Sequence, residues 1–143
     1  KKSMMISKNL TLQEVTTSQT ATRLKIKNVP TDKDIENLKY IAENIFQKVR
    51  DYFGVPIRIS SGYRSKELNK AVGGSKNSQH TTGQALDIQG TNSVSNAQIF
   101  NYIKYNLVFD QLIWEFGDNE NPAWVHVSLK KEGQNRNQIL VIS

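Results

Sequence analysis

The feature of the sequence that most constrains its fold is a long run of regularly spaced apolar residues. Between positions 35 and 53 they recur at steps of three and four, the spacing of one face of an α-helix. They are Ile35, Leu38, Ile41, Ala42, Ile45, Phe46, Val49 and Phe53. Thr31 precedes the run as a capping residue, and Asp32 and Asp34 place negative charge in the first turn. The pattern predicts an amphipathic helix that ends near Gly54 and buries its apolar face in a core.

Shorter apolar segments predict a sheet. Val55, Ile57 and Ile59 alternate with polar residues, which is typical of a half-buried strand. Further strands are predicted over residues 84–89, 109–116, 124–129 and 138–142, and further helices over residues 66–72 and 95–106. The polar turn between residues 116 and 124 indicates a hairpin. We therefore predict one α+β domain over residues 1–143, with helices on a small, mostly antiparallel sheet and residues 1–9 as a loose N-terminal arm.

The composition excludes several kinds of site. The chain has no cysteine, so any metal site must use His, Asp or Glu, and thiolate nucleophiles are absent. Its net charge of +6 fits a polyanionic partner, but the lysines are scattered and no nucleic-acid-binding motif is present. No segment approaches transmembrane length. We expect neither nucleic acid binding nor membrane insertion.

The chain has two histidines, and both have informative neighbours. His126 lies within an apolar strand, where a lone histidine is usually a satisfied core residue. Asp87 lies between Leu86 and Ile88, where an unpaired carboxylate is costly to bury unless it bonds to a turn or to a cation. With His80, these residues make a His₂Asp set that leaves a fourth tetrahedral position open, as in catalytic zinc sites.

The segment Ser78-x-His80-x-x-Gly83-x-Ala85-x-Asp87 resembles the signature of the zinc D-Ala-D-Ala carboxypeptidases, peptidase family M15. Two other blocks are similar to that family and occur in its order: residues 61–65 (SGYRS) and residues 124–128 (WVHVS). Phage endolysins that cut cell-wall peptides belong to this family, and hedgehog-type signalling domains share its fold.

The resemblance implies roles for several residues. His80, Asp87 and His126 would bind Zn²⁺, and Gly83 would allow a tight turn after His80. Arg64 would anchor a substrate carboxylate, since a guanidinium grips a carboxylate bidentately, although a structural salt bridge at a turn is the alternative. Ser78 would hydrogen-bond the substrate or a ligand, or simply cap a turn.

The general base is the open question of the sequence. Several relatives carry an acidic residue three positions before the last histidine, where this chain has Ala123. We predict Glu115 as the catalytic base, because it lies in an apolar strand that should pair with the His126 strand. Asp118 and Glu120 in the turn are the alternatives. Trp124 is predicted to line the substrate site, with a plain core aromatic as the equal alternative.

The sequence thus predicts a monomeric zinc peptidase that hydrolyses peptidoglycan stem peptides, as a carboxypeptidase or as an endolysin-type endopeptidase. The alternative is a non-catalytic zinc-containing module of the same fold that binds cell wall or forms part of a virion. No signal peptide is visible, so the sequence leaves two locations open. These are the host cytoplasm, for a phage or prophage product, and the periplasm, if a leader was removed.

Overall fold

The computed structural model describes residues 4–143. Its first elements are two short antiparallel strands, β1 (Met5–Ser7) and β2 (Leu10–Thr11), followed by helices α1 (Leu12–Thr16) and α2 (Gln19–Leu24). The prediction of a loose arm over residues 1–9 is therefore wrong from Met5 onwards, because the segment pairs with β2 and buries Ile6 in the core. Residues 1–3 lie outside the described part. Helix α2 was not predicted, since its sequence is polar and its first turn depends on capping by Ser18.

The predicted amphipathic helix is present. Helix α3 (Asp32–Ile41) continues through a π-helical segment (Ala42–Phe46) into α4 (Gln47–Phe53), and we call residues 32–53 the central helix. The Thr31 side chain accepts a hydrogen bond from Asp34 N, and the Asp34 carboxylate accepts one from Thr31 N, which together form a capping box. Gly54 ends the helix with φ = +68°, a conformation that favours glycine.

The remaining elements follow the predicted order. They are β3 (Arg58–Ser61), α5 (Lys66–Ala71), a 3₁₀ helix (Gln79–Thr82), β4 (Ala85–Gln89), α6 (Asn96–Asn106), β5 (Gln111–Glu115), β6 (Trp124–Ser128) and β7 (Gln138–Ile142). The strand predicted from Val55 begins only at Arg58, and the 3₁₀ helix was not predicted. No helix between residues 4 and 143 combines the length and the apolar character that crossing a membrane requires.

Strands β3 to β7 form one sheet in the order β3-β4-β6-β5-β7. Strands β5 and β6 form the predicted hairpin, and every pairing is antiparallel except that of β5 with β7. The domain is therefore α+β with a mostly antiparallel sheet, as predicted.

The two faces of the sheet have different environments. Leu86 and Ile88 of β4, and Val125 and Val127 of β6, join the hydrophobic core with residues of the central helix and α6. The alternate residues of the same strands point to the opposite face. In β4 and β6 these alternate residues include Asp87 and His126, so the strand period that builds the core also presents both side chains on one surface.

Candidate metal centre

Three elements hold the predicted metal ligands. His80 lies in the 3₁₀ helix, Asp87 in β4 and His126 in β6, and the strand register places Asp87 directly opposite His126. One ligand atom from each residue lies within 4.8 Å of the other two. The structure therefore brings together all three residues that the resemblance implied as zinc ligands.

Asp87 is the electrostatic centre of this group. Its Oδ1 atom lies 2.9 Å from His126 Nδ1 and 3.3 Å from His80 Nε2, while its Oδ2 atom lies 3.7 Å from the Arg64 guanidinium. Burial raises the pKa of Asp87, but the two neighbouring histidines outweigh burial, so the pKa lies below its usual range. The carboxylate is thus ionised at neutral pH.

His80 is oriented by its surroundings. Its Nδ1 atom lies 2.7 Å from the carbonyl oxygen of Gly62, which only accepts hydrogen bonds, so Nδ1 carries the hydrogen of the neutral ring. Nε2 then presents a lone pair. Among the described residues, this Nε2 is the one buried side-chain nitrogen or oxygen without a hydrogen-bond partner, since its 3.3 Å contact with Asp87 lacks hydrogen-bond geometry.

Gly83 joins the 3₁₀ helix to β4 in the way the sequence predicted. Its φ is +75°, and a Cβ atom there would approach the Asp34 carbonyl oxygen to 2.5 Å. The positive φ lets the chain turn between His80 and Asp87, and the close approach to α3 leaves no room for a side chain at this position.

The predicted base, Glu115, lies beside the metal group. It is the last residue of β5 and pairs with Trp124, while Ile113 pairs with His126. Its Oε2 atom accepts a hydrogen bond from Trp124 Nε1 (3.0 Å) and lies 3.9 Å from His126 Nδ1. Trp124 thus contacts the carboxylate and lines the cavity, and it does not belong to the central core.

The two alternative bases lie away from the metal group. Asp118 is exposed in the hairpin turn, where its Oδ1 accepts hydrogen bonds from the backbone N–H groups of Glu120 and Asn121. These bonds lower the pKa of Asp118. Glu120 is also exposed, and within residues 4–143 neither carboxylate lines the metal cavity. Glu115 is the carboxylate outside the His₂Asp set that lies close to a histidine, 3.9 Å from His126 Nδ1.

Arg64 lines the cavity and is also held by the protein. Its Nε donates to Ser61 Oγ and its Nη1 to Asn69 Oδ1, both at 3.1 Å, and Nη2 lies 3.7 Å from Asp87. The structure therefore contains the salt bridge that was the alternative reading, and it leaves the guanidinium at the cavity wall, where the anchor role needs it.

Ser78 also lines the cavity and caps the 3₁₀ helix. Its Oγ accepts a hydrogen bond from His80 N at 3.2 Å, which is the capping alternative.

The metal group opens into a cavity of about 660 Å³. Its walls come from the 3₁₀ helix, the loop of residues 72–78, and the β5–β6 hairpin. Arg64 and Arg136 are its cationic lining residues. Asp87 and Glu115 are the carboxylates that line it.

A buried ion pair beside this cavity was missed by the sequence reasoning. Asp110 is fully buried, and its carboxylate accepts hydrogen bonds from Gln79 Nε2 (2.9 Å), Arg136 Nε (3.0 Å) and Arg136 Nη2 (2.6 Å). The hydrogen bonds from Arg136 lower the pKa of Asp110 to about 2 despite its burial. A carboxylate next to apolar Phe109 in the sequence could have indicated that Asp110 is buried, but nothing in the sequence indicated that Arg136 is its partner.

Comparison with known proteins agrees with this geometry. The sequence model of the family described as Peptidase M15 matches residues 8–128, which is most of the chain and includes all three residues of the metal group. No curated protein matches the chain. The chain belongs to the peptidase M15 family.

Proposed function

We propose that this protein is a zinc-dependent peptidase that hydrolyses peptide bonds in the stem peptides of bacterial peptidoglycan. The observation that carries the proposal is the buried His80 Nε2 atom, which has no hydrogen-bond partner in the described structure and lies 3.3 Å from the Asp87 carboxylate. Membership of the peptidase M15 family supports peptide hydrolysis. The choice of zinc and of a wall substrate rests on the motifs shared with that family.

The residues fit a zinc ion. Two electron-rich atoms that face each other at 3.3 Å repel unless a proton or a cation lies between them. His126 adds a second imidazole within 4.8 Å, and two imidazoles with one carboxylate are a common catalytic zinc set. The hydrogen bond from His80 to Gly62 is the outer-shell contact that orients such ligands.

When bound, zinc supplies Lewis-acid chemistry, which acidifies water and polarises a carbonyl group. Glu115 accepts the proton of the attacking water and passes it to the leaving amine, the usual task of a carboxylate base. The hydrogen bond from Trp124 Nε1 holds the Glu115 Oε2 atom on the side of His126. In this scheme the Glu115 carboxylate takes up one proton and releases one proton in each hydrolysis.

Arg64 and Ser78 place the substrate. The Arg64 guanidinium binds a carboxylate of the peptide, and Ser78 donates its hydroxyl hydrogen to a peptide carbonyl. Both line the cavity next to Asp87 and His80, so a peptide held by them lies against the metal group.

The test is digestion of purified peptidoglycan by zinc-loaded protein, followed by mass spectrometry of the fragments. We expect new amino and carboxyl termini within or at the end of the stem peptide, and we expect His80→Ala to lose both the zinc and the cleavage. Stoichiometric zinc without new termini across several wall chemistries would instead support a non-catalytic zinc module of the same fold.

A further inference from the structure

A second cavity runs along the edge strand β3. It measures about 420 Å³, and four consecutive residues of the strand, Arg58–Ser61, line it. Side chains of successive strand residues point to opposite faces, so a cavity on one face touches alternate residues only. Contact with four successive residues therefore places this cavity along the backbone edge of β3. We call it the β3 groove.

The edge of β3 in this groove has no second strand beside it over Arg58–Ser61, and α1 contacts the chain just after the strand, where Tyr63 N donates a hydrogen bond to Val15 O. In the described sheet β3 pairs with β4 alone, so its other edge has no strand partner. The facing wall comes from residues 17–20, where α1 passes into α2. Thr17, Ser18 and Thr20 give this wall hydroxyl groups. An extended peptide could therefore pair with the free edge of β3 and find hydrogen-bonding groups on its far side.

The β3 groove adjoins the metal cavity. Arg64 and Val72 line both, so Arg64 stands at the junction. The far end of the groove carries Arg58, which is exposed and has no ion pair within residues 4–143. A chain that lies along β3 would thus run between two positive charges and reach the metal group past Arg64.

We propose that the β3 groove binds an extended stretch of the substrate peptide as an added β-strand, with an acidic group near Arg58. This inference rests on the proposed function and deepens it. If the substrate chain continues past Arg64, the group that Arg64 binds is not the carboxyl terminus of that chain. The protein therefore cleaves as an endopeptidase, and Arg64 binds a side-chain or branch carboxylate of a continuing chain.

Binding is measured on the full chain, zinc-loaded and carrying Glu115→Gln so that no peptide is cut. The probes are the wall stem tetrapeptide and the same peptide extended at either end by three residues, one of them glutamate. We expect one extended peptide to bind about tenfold more tightly than the tetrapeptide. Backbone amide NMR signals of Arg58–Ser61 should shift with that peptide alone.

Two variants test the site, and each has a matched control at Lys48, an exposed residue of α4 that lines neither cavity within residues 4–143. Arg58→Glu should remove most of the gain from the extension, whereas Lys48→Glu, with the same charge change, should keep it. Gln19→Trp should fill the groove and abolish the gain, whereas Lys48→Trp should not.

Equal affinities for the short and extended peptides would overturn the proposal. If the protein cleaves the wall but binds the short and extended peptides equally, the proposed function stands and only peptide binding in the β3 groove is contradicted. Tight binding of the extended peptide to an inactive wild-type protein would support the groove and contradict the peptidase.

Discussion

The two buried carboxylates of the described chain, Asp87 and Asp110, have opposite kinds of partner. The carboxylate of Asp110 accepts bonds from the N–H groups of Gln79 and Arg136, which keep their hydrogens at every ordinary pH. Asp87 faces two imidazoles, which can lose a proton and bind a metal. Both carboxylates have a lowered pKa, so neither burial nor pKa distinguishes a structural ion pair from a metal centre. The chemistry of the partners distinguishes them: N–H donors surround Asp110, and imidazoles surround Asp87.

The largest expected effect comes from removing each charge in turn. Asp87→Asn should abolish zinc binding and wall cleavage, because an amide is a poor zinc ligand and the His₂Asp set loses its anion. Asp110→Asn, an equal change in a neighbouring buried site, should keep stoichiometric zinc. Metal content after dialysis and fragment release by mass spectrometry measure both. Retention of zinc by Asp87→Asn would contradict the assignment of Asp87 to the metal centre.

The next effect separates metal binding from turnover. Glu115→Gln should retain zinc and lower the cleavage rate by about 10²–10⁴-fold, because the amide cannot accept the proton of the attacking water. The amide oxygen can still accept the hydrogen bond from Trp124. Glu120→Gln is the matched control, since Glu120 lies exposed in the adjoining turn. Loss of activity in Glu120→Gln with an active Glu115→Gln would move the base into the turn.

The smallest effect is the pH dependence of the Asp110 ion pair. Because the folded pKa of about 2 lies below the ordinary 3.8, the stabilisation is present above that ordinary value and is lost as the pH falls through about 2. The full contribution is about 2 kcal/mol in the free energy of unfolding. The stability difference between wild type and Asp110→Asn should be about 1 kcal/mol smaller at about pH 3 than at about pH 5. Urea denaturation measures it, and a constant difference would contradict the ion-pair account.

The sequence predicted well where structure depends on near neighbours. The central helix, its Thr31 cap and its end at Gly54 follow from contacts within a few residues, and so does the turn at Gly83. The π-helical segment was missed because the apolar spacing of a helix hardly changes when one residue is added to a turn. Helix α2 was missed because its polar sequence carries little periodicity.

The candidate site divides in the same way. His80 and Asp87 belong to one short motif, so sequence alone determined that they lie close together and that any metal site must use their kind of ligand. Tertiary structure decided that His126 stands opposite Asp87, because a register shift of one residue would turn it into the core.

Tertiary structure also decided that Arg136 neutralises Asp110, 26 residues away, and that β3 is an edge strand of the described sheet beside the metal cavity. Ion pairs and strand edges depend on which surfaces meet when the chain folds. That choice is made by the packing of the whole domain and leaves no pattern in the local sequence.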